Sequence, residues 1–136
     1  MALSHADVVE GVRAALAAYT QALDDGRAAD VVATFVPDGT IELPGMGTHT
    51  GSEQLLAAYT SWAPRRPQRH LVLNTLLTEW TDTDATATSD IIFILLGKDG
   101  WGIKLVGRYH DVLRNVEGQW RFVRRTAEFI TPQEQS

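Results

Sequence analysis

The chain reads as an α+β domain, on three observations. Helix-period apolar spacing is confined to the first 62 residues, four long alternating stretches fill the remainder, and short turn signals separate those stretches. Helices followed by a meander of long strands is the order expected when helices cover one face of a curled sheet. At 136 residues with 44% hydrophobic residues, the chain suits a single domain over residues 1–136 with a substantial core.

Ser4 caps a first helix over residues 5–24. Asp7 adds negative charge to its first turn, and Val8, Val12, Leu16, Tyr19 and Leu23 recur at three- and four-residue steps. Gly26 breaks that helix, and Asp25 is placed to cap a short second one whose apolar face is Val31, Val32 and Phe35. Asp24 has no such explanation. Helix C-termini carry partial negative charge, so a carboxylate there is disfavoured by up to about 1 kcal/mol unless another group wants it.

Pro37, Asp38 and Gly39 make a turn before a strand over Thr40–Leu43, with Ile41 and Leu43 on one side and Glu42 on the other. Pro44 ends the strand and the PGMG segment is a loop. Thr50 and Glu53 form a capping box for a third helix that buries Leu55, Leu56, Tyr59 and Trp62, and Pro64 and Pro67 close it. Strands are expected over 69–80, 84–97, 101–115 and 119–130, with turns at Asp82, Lys98 to Gly100 and Glu117-Gly118. Trp120 belongs to the core; Glu42 and His49 fall at the rim.

Composition narrows the function classes. A formal charge of −5 argues against nucleic acid as the main partner, and the cluster Arg65, Arg66 and Arg69 reads as a solvated loop. The absence of cysteine excludes disulfides and thiolate metal sites. His5, His49, His70 and His110 show no ligand spacing, so no metal site is expected. With no apolar run long enough to span a bilayer and no basic-then-apolar start, neither a membrane role nor export is expected, and the location is read as cytoplasmic.

The strings YTQALDDG, ATFVPDGTIELPG, GTHTG, RHLVLN and GRYHDVLRNVEGQWRF, in that order over nearly the whole chain, resemble the nuclear-transport-factor-2-like (NTF2-like) superfamily, in particular its SnoaL-like polyketide-cyclase branch. The resemblance implies a cone: a curved mixed or antiparallel sheet wrapped around three helices, with an internal pocket. Within the superfamily the chain is most similar to scytalone dehydratases and hexachlorocyclohexane dehydrochlorinases, which pair an aspartate ending the first helix with a histidine opening the first long strand. Asp24 and His70 fall at those places. The supporting tyrosines of scytalone dehydratase do not carry over, because Leu23 and Leu43 stand there. Tyr19 matches the oxyanion-binding tyrosine of ketosteroid isomerases, but Leu43 replaces their base and His110 lies near their second acid. The Asp-Arg-Asp set of the family's epoxide hydrolases has no arginine in register beside Thr88 and Asp90.

A His-Asp pair serves as general base because the carboxylate fixes the imidazole tautomer and stabilises the imidazolium formed when a proton is taken. An inward His70 brings Val72 and Asn74 to the same face, with Asn74 available to a substrate oxygen. An inward His110 brings Arg108 and Val106 with it and leaves Tyr109 and Asp111 outside. Ile91, Phe93 and Leu95 supply apolar lining, and Tyr19, Leu43 and Trp62 complete the expected substrate-binding wall.

The expected function is that of a cofactor-free lyase or isomerase (dehydratase, elimination or cyclase type). Its Asp24–His70 dyad would act on a small, largely apolar oxygenated molecule such as a polyketide, terpenoid or aromatic intermediate. The alternative is a non-catalytic binding or dimerisation module, which an Asp24 far from His70 with no cavity beside them would favour. A third reading, the β-subunit of a multi-component oxygenase, sits poorly with the compact length. The resemblance also implies a homodimer or homotrimer formed through the outer sheet face.

Overall fold

The computed structural model describes residues 2–130, and among these the order is three helices and six strands. Helix α1 (His5–Asp24) is followed by α2 (Ala28–Ala33), the hairpin β1 (Phe35–Leu43) and β2 (Gly47–Thr50), and α3 (Ser52–Ser61). Four long strands complete the chain: β3 (Gln68–Trp80), β4 (Asp84–Gly97), β5 (Gly100–Val116) and β6 (Gln119–Ile130). All strands join one sheet of order β2-β1-β6-β5-β4-β3, in which every neighbouring pair is antiparallel except β1 with β6. The curved mixed sheet wraps the helices, which is the expected α+β cone.

Helix α1 begins as its sequence dictates. The Ser4 side chain accepts from the Asp7 amide and the Asp7 carboxylate accepts from the Ser4 amide, a reciprocal box that also holds the Asp7 carboxyl below its usual range. Its buried stripe, Val8, Val12, Leu16 and Tyr19, packs on Phe35, Ile41, Leu113 and Phe122 from the sheet. Trp120 joins this core as expected, resting over Gly11 in mid-helix. A Cβ at Gly11 would overlap the indole. Gly11→Ala therefore sets a helix-propensity gain of about 1 kcal/mol against an overpacking cost of about 1–3 kcal/mol. With aromatic ring atoms as the obstacle the cost wins, and a lower thermal midpoint is expected in a melting experiment.

Several local readings are corrected. Asp25 does not cap α2: it is the C-cap of α1, its carboxylate 3.4 Å from Arg27, while Arg27 itself occupies the α2 N-cap without a side-chain capping bond. Phe35 belongs to β1, not α2, and Pro37 to Gly39 form an irregular stretch inside that strand rather than a turn before it. The GTHT segment is a strand paired to β1, so Gly47 of the expected PGMG loop already belongs to a hairpin. The α3 N-cap is Gly51, with Gln54 rather than Glu53 bonding the Thr50 amide, and Leu56 is exposed while Ala58 takes the buried place.

Candidate active site

Asp24 is the last residue of α1. The chain leaves the helix through Gly26 at φ 72°, a left-handed position that glycine adopts without steric cost, and the Arg27 amide returns to the Ala22 carbonyl. This sharp exit points Asp24 at the start of β3. Gln68 and His70 lie two residues apart on that strand and so share a face. The buried Asp24 carboxylate accepts three hydrogen bonds: from the His70 amide at 2.8 Å, from the Gln68 amide Nε2 at 3.1 Å, and at 2.6 Å from His70 Nδ1. Three donors offset the unfavourable placement of a carboxylate at a helix C-terminus. An ionised carboxylate only accepts, so Nδ1 carries the proton toward Asp24 and Nε2 is the basic nitrogen. Phe93 stacks on the imidazole at 4.4 Å between centroids, which fixes the ring plane.

His70 forms part of the wall of an internal cavity of about 210 Å³, to which nearly every element contributes. Tyr19 and Leu23 come from α1, Leu43 and Met46 from the β1–β2 hairpin, and Tyr59 and Trp62 from α3 and its C-cap. Ile91 and Phe93 of β4, Leu105 and Tyr109 of β5 and Phe129 of β6 close it. The expected lining residues Tyr19, Leu43, Trp62, Ile91 and Phe93 are therefore brought together with His70. Polar groups are few: the Tyr19 and Tyr59 hydroxyls bond each other at 2.6 Å, and Tyr109 lies beside them. Burial pushes all three phenols above their ordinary range, so they stay protonated donors at neutral pH. On its other side His70 also borders an open groove of about 710 Å³ between α1 and β3, where Arg13, Thr20 and Asp24 lie. The dyad thus has a route for proton exchange with solvent that does not cross the cavity.

Beneath the cavity lies a buried charge pair. Arg125 of β6 stands opposite Asp111 of β5 and bonds it twice, Nε to Oδ1 at 2.8 Å and Nη2 to Oδ2 at 3.2 Å, both side chains fully buried. The guanidinium lies 3.5 Å from the Tyr109 ring centroid and 4.3 Å from that of Tyr19. Burial pushes the Asp111 carboxyl up, and Arg125 pulls it part of the way back.

Four residues expected on the wall face elsewhere. Arg108 and His110 are on the outer sheet face, bonded to Asp90 at 2.7 Å and Glu128 at 2.9 Å, and Val106 is exposed with them. The buried phase of β5 is Gly107, Tyr109, Asp111 and Leu113, the reverse of the expected one. Asn74 is turned by a bulge between Leu73 and Leu76; it sits at φ 56°, donates to Asp90 at 2.8 Å and borders the open groove beside His70 rather than the internal cavity. Val72 faces inward as expected. Gln68, Tyr59 and Tyr109 were not singled out as site residues. Strand alternation from His70 back to Gln68 was the available signal for the first, and the polar Arg108, His110 and Arg114 on one face of β5 were the signal for the last.

Among the described residues no group of three metal-ligating side chains gathers, and no helix is long and apolar enough to cross a membrane. No curated protein matches the chain. Solved structures do. Rv3472 of Mycobacterium tuberculosis, a protein of unknown function seen as an aspartate-to-asparagine variant, is 24% identical with a TM-score of 0.85 over 92% of this chain and 73% of its own. A candidate scytalone dehydratase from Novosphingobium aromaticivorans is 23% identical with a TM-score of 0.80, over 90% of this chain and 84% of its own. A Catenulispora acidiphila protein in complex with S-DNPA is 23% identical with a TM-score of 0.82, over 92% and 95%. At such identities these structures establish the fold, the NTF2-like, cystatin-like cone. The SnoaL-like domain model matches residues 4–126, and the chain belongs to the SnoaL-like domain family.

Proposed function

We propose that the protein is a cytoplasmic, cofactor-free lyase or isomerase in which His70, oriented by Asp24, moves a proton on a small, largely apolar oxygenated molecule held in the internal cavity. One observation carries this reading: a bonded His-Asp pair whose basic nitrogen is free stands in the wall of an apolar cavity beside hydroxyl donors. His70 Nε2 removes a proton from carbon next to an electron-withdrawing group, and the Tyr19–Tyr59 pair donates its one free hydroxyl hydrogen to the oxygen that gains charge. In elimination the C–H electron pair becomes the new double bond, the leaving group departs with its own pair, and the imidazolium proton passes to it. In isomerisation or ring closure the same proton returns to another atom of the substrate. The likeness to a candidate scytalone dehydratase supports the elimination branch, and the ligand complex of the Catenulispora protein supports small-molecule binding.

Size constrains the substrate. An engineered apolar cavity of about 150 Å³ accepts benzene, so 210 Å³ suits a single ring with short substituents. The test is turnover of a panel of single-ring hydroxy-ketones and enones, followed by mass spectrometry without added metal or cofactor. Loss of water or a shifted double bond in one of them is expected; turnover only on addition of a redox cofactor would sink the proposal.

The same reading takes the protein as a homodimer or homotrimer. Leu71, Ile92, Val106 and Ile130 are cross-strand partners in one row over the outer face of β3 to β6, and Ile103 and Trp101 lie exposed beside it. The adjoining row Asp90, Arg108 and Glu128 alternates in sign, which suits contact with a second copy. Ile103→Lys with Val106→Lys is expected to give monomers in sedimentation velocity with the fold kept; an unchanged oligomer would place the interface elsewhere.

A further inference from the structure

Gln68 holds Asp24, and its other end is unused. Because Asp24 only accepts hydrogen bonds, the Gln68 amide must turn Nε2 toward it, as the 3.1 Å contact shows, and Oε1 must point away. Oε1 bonds no described residue, yet it is not among the orphaned polar atoms sealed in the interior. Gln68 lies in the cavity wall, two residues from His70 on the same face of β3. An acceptor held rigidly by its own amide thus opens on the cavity.

The tyrosines offer the complementary chemistry. In the Tyr19–Tyr59 pair one hydroxyl hydrogen is spent on the mutual bond, and the other remains for a ligand oxygen. Arg125 against the Tyr19 ring strengthens that donor for an oxygen gaining negative charge. The rest of the wall is apolar apart from the His70 imidazole, the Tyr109 hydroxyl and the Trp62 indole N–H.

We propose that Gln68 is a ligand-binding, specificity-determining residue whose Oε1 accepts a hydrogen bond from a hydroxyl of the bound molecule, while the Tyr19–Tyr59 pair donates to a carbonyl oxygen of the same molecule. The cavity then selects a single-ring compound carrying both groups. This rests on the cavity being the substrate site, and it adds a requirement the dyad alone does not impose: a hydrogen-bond donor on the ligand. A buried acceptor left without a partner is costly, so the hydroxyl compound is favoured over its methyl isostere by about ten-fold or more.

Binding separates this from catalysis. The three hydroxyacetophenone isomers are titrated against the matching methylacetophenones by calorimetry, with wild type, Gln68→Met and His70→Ala. Wild type prefers at least one hydroxyl isomer about ten-fold. Gln68→Met loses that preference without weakening the methyl compound, and His70→Ala keeps it even where turnover is gone. Should Gln68→Met not fold, the side-chain ¹³Cδ of Gln68 in wild type reports instead, shifting with the hydroxyl ligand and not with the methyl one. Equal affinities in wild type, or a preference surviving in Gln68→Met, overturn the role of Gln68 and leave the dyad standing. If neither series binds, the cavity fails as a ligand site and the proposal fails with it.

Discussion

Asp24→Asn is expected to lower kcat/KM by about 10²–10⁴-fold on any substrate the protein turns over. The substitution keeps the shape and reverses half of the chemistry. An asparagine must set its NH2 either against the His70 amide, in place of Oδ2, or against both Gln68 Nε2 and His70 Nδ1, in place of Oδ1. The least costly outcome turns the NH2 toward Nδ1 and Gln68: the Gln68 amide flips to present Oε1 and Nδ1 accepts, so the ring proton moves to Nε2 and the base becomes a donor. Folding survives, because a neutral side chain at a helix C-terminus is better tolerated than a carboxylate. His70→Ala removes the base and is expected to cost at least as much. The double variant should be no worse than His70→Ala alone, since the two residues act as one unit. Progress curves on purified variants with matching circular dichroism decide it. If both variants fold and keep activity, the dyad is not the catalytic group.

The pair was legible because the resemblance implies an aspartate ending the first helix and a histidine opening the first long strand, and two patterns put Asp24 and His70 at those places. Helix periodicity ended α1 at Asp24, and period-two alternation set His70 at the head of β3, so their meeting needed only the cone the resemblance implied. Long strands were readable to within a residue, since alternation over a dozen positions averages out single exceptions. Short-range chemistry was not. Whether Asp25 ends one helix or starts the next depends on the path through Gly26, which either role permits. The phase of β5 was set on His110, and one misassigned residue reverses a whole strand. Asn74 left its expected face because a bulge inserts an extra residue, and composition does not announce bulges. Reversing β5 also hid Asp111, and with it the partner of Arg125, since a charge assigned to the surface asks for no explanation.

That pair carries the largest expected effect on stability. Asp111→Ala leaves a guanidinium fully buried with no carboxylate, and its Nη1 already lacks a hydrogen-bond partner among the described residues. Breaking one side of a buried pair costs about 3–5 kcal/mol, which for a chain of 136 residues lowers the thermal midpoint by about 10–20 °C. The rings of Tyr109, Tyr19 and Phe122 at 3.5, 4.3 and 4.6 Å soften the loss, because their faces attract the cation, but they cannot replace two charge-assisted bonds. Burial also works against the pair itself, as the raised Asp111 carboxyl attests, so the intact pair need not be worth more than apolar packing. Asp111→Leu with Arg125→Met is therefore expected to recover most of the midpoint that Asp111→Ala loses. The double variant separates structure from electrostatics: it restores the floor without the cation against Tyr19, so any fall in activity that remains measures what that charge does for the phenol pair. A double variant as unstable as Asp111→Ala in thermal melts would mean that the pair fixes the β5–β6 register in a way apolar residues cannot.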